Sequence, residues 1–161
     1  MNNSENNSEY MKKACELSEL SVIRGGGPFG AVIVQKETGE IIGKGHNMVT
    51  MKNDPTLHAE MVAISDACHA LDSYDLSGCV LYTSCEPCPM CLAASYWAHI
   101  DRIYFGNTKE DAARIGFDDS FIYDEIKKSV EERSIKMEQM GSGSAAVAFK
   151  EWVEKDDKVT Y

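Results

Sequence analysis

The strongest constraint on this chain lies in two short segments, His58-Ala59-Glu60 and Ser84-Cys85-Glu86-Pro87-Cys88-Pro89-Met90-Cys91. One imidazole, a carboxylate two residues later, and two thiols three apart beside prolines make the parts list of a hydrolytic zinc site. Zinc takes nitrogen and thiolate ligands, and catalytic sites supply three of them, leaving the fourth position to water. The metal lowers the pKa of that water towards neutrality, and a carboxylate outside the ligand set then relays its protons. The spacing therefore predicts His58, Cys88 and Cys91 as ligands of one Zn2+ per subunit, with Glu60 as the acid/base.

Other readings of the same residues exist. A C-x-x-C pair also occurs as a redox motif, where one thiol pKa is lowered. Cys85, Cys88 and Cys91 together open an iron–sulfur pattern, but that pattern requires Cys-Pro four residues on, where this chain has Ser95-Tyr96. A closed structural zinc site using Cys85 as fourth ligand has no need of Glu60.

Local signals place the motif at helix starts. Asp54-Pro55-Thr56 supplies a capping side chain and a first-turn proline. From Leu57 to Ala70, Met61, Ile64, Ala67 and Cys68 recur at helical spacing. Pro87 is expected to open a second helix, from about Cys88 to Ala98, whose positive dipole end favours thiolates. Residues two apart do not share a helix face, so His58 and Glu60 converge only if they sit at the helix entry.

The chain has 161 residues, 43% hydrophobic and 26% charged, which suits one globular domain over residues 1–161. No apolar run reaches the 18 or so residues of a membrane span, and Met1-Asn2-Asn3-Ser4 is not a secretory leader. Six cysteines, two of them assigned to metal, suggest a reducing, cytoplasmic setting rather than a disulfide framework. Sixteen Lys and Arg stand against 26 Asp and Glu, a net charge of -10. Phosphate-binding faces are basic, so a nucleic-acid partner is disfavoured and a small neutral base fits better.

Residues 1 to about 8 are Asn/Ser-rich and are expected to fray. A first amphipathic helix follows over residues 9–24. The Gly25-Gly26-Gly27-Pro28 run lacks the lysine and spacing of a phosphate loop and reads as a turn. Strands are expected at residues 29–34, 41–47, 80–83 and 102–106, with a fifth at Ser134–Met140 from the alternation of Ile135 and Met137. Short helices fall at residues 111–115 and within 116–128, then a Gly141-Ser142-Gly143-Ser144 linker and a last helix over 145–155. The pattern predicts a three-layer α/β/α sandwich with a five-stranded mixed sheet, the cysteines standing at the carboxyl end of the third strand, where ligands bind in open α/β sheets.

The H-x-E and P-C-x-x-C combination resembles the cytidine deaminase-like zinc deaminases. Within that superfamily the chain most resembles the small bacterial guanine deaminases, from about Gly27 to Phe121. Three stretches carry this: Gly26-Gly27-Pro28-Phe29-Gly30-Ala31-Val32-Ile33-Val34, Leu81 to Leu92 with Tyr96-Trp97-Ala98, and Gly116-Phe117-Asp118-Asp119-Ser120-Phe121-Ile122-Tyr123 beside the terminal Tyr161. The resemblance implies hydrolytic deamination of guanine to xanthine and ammonia. It also implies base recognition by Asp119 and Tyr161, and a homodimer that exchanges its C-terminal segments, about residues 130–161. Asn47, Phe29, Trp97 and the main-chain N–H of Ala59 complete the expected substrate contacts.

Chemistry supports the choice of base. Guanine offers N1–H and a 2-amino group, which suit a carboxylate acceptor, whereas adenine has no N1–H and leaves the acid unpaired. Asn47 is otherwise a turn-capping residue, and Phe29 and Trp97 are otherwise core aromatics. The rival activities are deamination of cytosine, guanosine, a triazine analogue or tRNA adenosine. A non-catalytic zinc-binding partner is the rival from another class.

Overall fold

The computed structural model describes residues 3–161, with side chains from residue 6 onward. It falls into two compact units, a body ending at Asp119 and a C-terminal unit, Ser120–Tyr161.

The body is a mixed sheet between helices. Strands β1 (Gly30–Gln35), β2 (Ile41–His46), β3 (Cys79–Cys85) and β4 (Arg102–Asn107) lie in the order β2-β1-β3-β4. β1 runs antiparallel to β2 and β3, while β3 and β4 are parallel. Helix α1 (Asn3–Ile23) covers one face. The short α2 (Val49–Lys52) leads to α3 (Ala59–Leu71) on the other face, and α4 (Pro89–Trp97) follows β3. The period-two geometry of strands divides the core. Ala31, Ile33, Cys79 and Leu81 pack with Ala59, Ala63 and Ala67 of α3, while Val32, Val34, Val80 and Tyr82 pack with Tyr10, Met11 and Leu17 of α1. α5 (Lys109–Arg114) closes the body, started by a reciprocal capping box between Thr108 and Asp111.

Two glycines let α3 lie close on β2. A Cβ at Gly43 would run into the Ala63 carbonyl, and one at Gly45 into that of Ala59. The missing side chains of β2 thus seat the first turns of the helix that begins after His58. Alanines at positions 59, 63 and 67 of α3 complete this close approach, all fully buried.

The C-terminal unit contains α6 (Ser120–Lys127), a 3-10 turn at Val130–Glu132, and α7 (Ser142–Glu154). Glu125 organises it, accepting from Lys128 Nζ at 2.5 Å, Ser134 N at 2.6 Å and Ser134 Oγ at 3.1 Å. These bonds draw its carboxyl down to about 2, with Lys128 the leading cause. No residue of this unit is buried.

Several expectations need correction. The sheet has four strands, not five. Ser134–Met140 is irregular and exposed, because the Ser134 N–H is taken by Glu125 and among the described residues no strand pairs with the segment. Alternating apolar residues mark a strand only where a ladder exists to receive them. The expected fraying over residues 1–8 fails for the described part, since α1 begins at Asn3. Its first turns are anchored, with Tyr82 Oη donating to Asn7 Oδ1 at 2.6 Å and Tyr10 packing on Tyr82 at 5.2 Å. The same expectation for Met1 and Asn2 lies outside the described residues. The 141–144 linker is shorter than expected, because α7 takes up Ser142 after a left-handed Gly141. α2 was not foreseen. Among the described residues no helix is long and apolar enough to cross a membrane.

Candidate active site

Each motif segment supplies the N-cap of a helix. His58 caps α3 with extended backbone (φ -68°, ψ 157°), and Cys88 caps α4 (φ -66°, ψ 169°), with Pro89, rather than the expected Pro87, as the first helical residue. The approach to His58 is fixed by Asp54, whose Oδ1 accepts from Thr56 N at 2.8 Å and Thr56 Oγ1 at 2.6 Å. Cap positions explain how residues two apart converge: the backbone turns from extended to helical between them.

The three ligand atoms gather at the two helix starts. His58 Nδ1 lies 3.4 Å from Cys88 Sγ and 3.6 Å from Cys91 Sγ, and all three atoms fall within 4.8 Å of one another. A tetrahedral zinc with bonds of about 2.3 Å to sulfur and 2.0–2.1 Å to nitrogen needs N···S edges of about 3.5 Å. The donor set and its spacing fit that ion. Cys85 stands outside the cluster. It is buried and its thiol donates to the Thr108 carbonyl at 3.7 Å, and burial pushes it up to about 11. The closed four-ligand arrangement is therefore not formed.

The three ligand groups hold their protons differently. The hydrogen bond from Cys91 draws the Cys88 thiol down to about 4, with His58 adding to the effect. The same bond holds the Cys91 proton well above the ordinary thiol range, and the contact with Cys88 raises His58. Cys88 is thus the group readiest to ligate, metal binding would displace the proton of Cys91, and the two helix N-termini add positive potential that favours thiolates.

Glu60 is 6% exposed, and burial raises its carboxyl above the usual range. Cys91 Sγ donates to Oε2 at 3.4 Å, and Thr83 Oγ1 donates to Oε1 at 3.2 Å. The carboxyl therefore stands against the ligand cluster without belonging to it. Thr83 is the partner that sequence reasoning missed, having passed it over as part of an apolar strand. A hydroxyl at the β3 position two before Cys85 was the available signal.

The other expected residues divide by place. Asn47, nearly buried after β2, accepts at Oδ1 from Gly27 N and Val49 N, each at 3.3 Å. Those two amides fix the acceptor end and leave Nδ2 as the outward donor. Phe29 is half-buried and packs edge-on against Phe117 at 5.0 Å and 87°. Ala59 is fully buried at the first turn of α3. Asp119 is half-buried, and its carboxyl is raised first by burial and then by the charge of Cys88, which places it within electrostatic reach of the cluster. Asp118 is exposed. Trp97 is the last residue of α4, 63% exposed. It stands about 9 Å along the helix axis from Cys91. Tyr161 ends the C-terminal unit and is 73% exposed.

Comparison with known proteins agrees with this geometry. Residues 4–107 match the family described as the cytidine and deoxycytidylate deaminase zinc-binding region. The guanine deaminase of Bacillus subtilis is 48% identical over 157 residues, 97% of this chain and 99% of that protein. Its crystal structure covers 100% of this chain and 99% of its own, with a TM-score of 0.91. A tRNA-specific adenosine deaminase of Aquifex aeolicus is 43% identical, but over only 60% of this chain and 62% of its own length. A protein solved in complex with 2,6-diaminopurine is 35% identical, covering 68% of this chain and 61% of that one, with a TM-score of 0.66.

Proposed function

The chain belongs to the cytidine and deoxycytidylate deaminase zinc-binding family, and we propose that its reaction is the hydrolysis of guanine to xanthine and ammonia. The observation that carries this is the buried Glu60 carboxyl, 3.4 Å from a thiol of a three-ligand cluster that fits zinc. The guanine assignment is supported by the near full-length similarity to a guanine deaminase. Similarity to the tRNA deaminase covers only 60% of this chain.

His58, Cys88 and Cys91 would hold the metal, which when bound lowers the pKa of water so that hydroxide is available near neutral pH. Glu60 takes the proton that water loses and delivers it to guanine N3 as the new C2–O bond forms. It then moves a second proton to the 2-amino group as the C2–N bond breaks, so that water and guanine yield xanthine and ammonia. Burial suits this task, since a carboxyl raised above its usual range gives up a proton less readily than a solvated one and works closer to neutrality. Asp119 accepts from N1–H and the 2-amino group, and Asn47 Nδ2 donates to an acceptor on the base. Phe29 forms one stacking wall. The backbone N–H of Ala59, at a helix start, stabilises developing negative charge.

The same reading extends to assembly. All 161 residues form one deaminase domain, and two chains form a homodimer that exchanges residues from about 130 to 161, bringing Tyr161 to the base. Supporting this, Phe121, Ile126, Phe149, Trp152 and Val153 of the C-terminal unit are all exposed, apolar side chains that a second copy would take out of water. Trp97 belongs to the exposed apolar surface of the body rather than to the base pocket of its own chain. All six cysteines are free, in keeping with a reducing, cytoplasmic setting.

The test is ammonia release from zinc-loaded protein against guanine, guanosine, adenine and cytosine, with Glu60→Gln as the blank. Turnover confined to guanine is expected. Activity on another base alone would keep the chemistry and overturn the substrate. Zinc binding without turnover on any of them would favour a non-catalytic zinc protein.

A further inference from the structure

We infer that Thr83 is a positioning residue for Glu60, pinning one carboxylate oxygen so that the other stays aimed at the His58, Cys88 and Cys91 cluster. Thr83 sits in β3, an interior strand, paired with Ala31 on one side and Phe105 on the other. Its side chain points to the α3 face, in line with Cys79 and Leu81. It is 1% exposed. Valine would satisfy strand and core equally well, and a buried hydroxyl costs free energy unless it is bonded. Thr83 Oγ1 has two acceptors, Glu60 Oε1 at 3.2 Å and the Cys85 carbonyl at 3.0 Å. It therefore links the carboxylate of α3 to the strand end that delivers the cysteines.

Besides its own backbone N–H, the Glu60 carboxyl has two side-chain partners, Thr83 and the Cys91 thiol. Of the two, Thr83 lies outside the ligand cluster, on an interior strand, and makes the shorter contact, 3.2 Å against 3.4 Å. Glutamate carries three side-chain torsions, and an unpinned carboxyl spreads over rotamers that do not face the reacting atoms. The β-branch of Thr83 restricts χ1 and keeps the hydroxyl in place.

This inference rests on the deaminase reading above, and its test separates the two. Thr83→Val, which keeps the β-branch, is compared with Thr83→Ser, which keeps the hydroxyl. With Val, kcat on guanine should fall about 10- to 100-fold. KM should stay within about threefold, and zinc at one per chain. Thr83→Ser should recover most of that loss. A crystal structure of zinc-loaded Thr83→Val should show the Glu60 carboxyl rotated or split between conformers. An unchanged Glu60 conformer, a wild-type kcat, zinc loss matching the activity loss, or a Ser variant as impaired as Val would each overturn the role. The conformer readout needs no substrate, so it decides the matter for Thr83 even if wild-type protein prefers a base other than guanine.

Discussion

The body and the C-terminal unit are built on opposite principles. In the body, Ala31, Val32, Ile33, Leu81 and three alanines of α3 are fully buried, and the ligand cluster grows from two helix starts clamped by that core. In Ser120–Tyr161 nothing is buried, and local bonds around Glu125 set the chain path. Cores packed this closely hold side chains in place to fractions of an ångström, which proton relay demands. A segment with little buried surface instead depends on whatever covers it. The ligand cluster and Glu60 thus belong to the unit whose core can hold them.

The largest expected effect falls in the body. Glu60→Gln should lower guanine turnover by about 10²- to 10⁴-fold while zinc stays bound at one per chain. Steady-state kinetics with metal analysis reads both, and near-normal kcat would remove the proton shuttle from Glu60. At the junction, Asp119→Asn should cost about 10- to 100-fold in kcat/KM for guanine, because the amide presents a donor where the base offers donors. Zinc content should not move. If metal and activity fell together, Asp119 would be part of the body's architecture and not a reader of the base.

A smaller effect probes the C-terminal unit. Phe149 is 79% exposed on α7, and Phe149→Asp places a charge where the proposed homodimer would need an apolar anchor. Loss of one anchor costs about 2 kcal/mol, roughly 30-fold in dimer dissociation constant. Sedimentation should show the shift, with the ligand cluster still binding zinc. A wild-type chain that sediments as a monomer at every concentration would end the homodimer proposal.

Sequence reading and structure agreed best where the chemistry is local. His58 and Cys88 were legible because capping signals fix the backbone within a few residues, and a helix start has room for converging side chains. Asp119 was named only through resemblance, and the effect of the Cys88 charge on its carboxyl is a product of the fold that residue type does not disclose. Thr83 offered only a hydroxyl in an apolar strand as a signal, and a strand position does not name its partner 23 residues away in sequence, on α3. The supposed fifth strand failed for the converse reason. Ile135 and Met137 alternate properly, but alternation says nothing about whether a neighbouring strand exists, and Glu125 claims the first amide instead. Trp97 could be recognised as an aromatic near a motif, yet its distance along α4 from Cys91 is a matter of helix geometry that residue type does not disclose.

The smallest effect sharpens the contrast by asking what the buried acid costs the body. Burial raises the Glu60 carboxyl in the folded chain, whereas the unfolded chain ionises near the ordinary value of about 4.3. Above that value the unfolded state has given up its proton and the folded state still holds it, so the native state binds more protons. Stability therefore falls as pH rises. The contribution is full below about pH 4 and is lost as pH climbs through the folded value. Glutamine at position 60 does not titrate and removes this slope. Metal-free Glu60→Gln should consequently melt above metal-free wild type at pH 8, with the gap closing towards pH 4. For a chain of this length each kcal/mol corresponds to about 2–4 °C, well within the reach of calorimetry. A gap that is absent at pH 8, or that widens on acidification, would mean that the body accommodates the ionised carboxylate without penalty. In the expected case the residue that carries the protons is also one the core holds at a loss, a strain the C-terminal unit, with no buried acid, does not share.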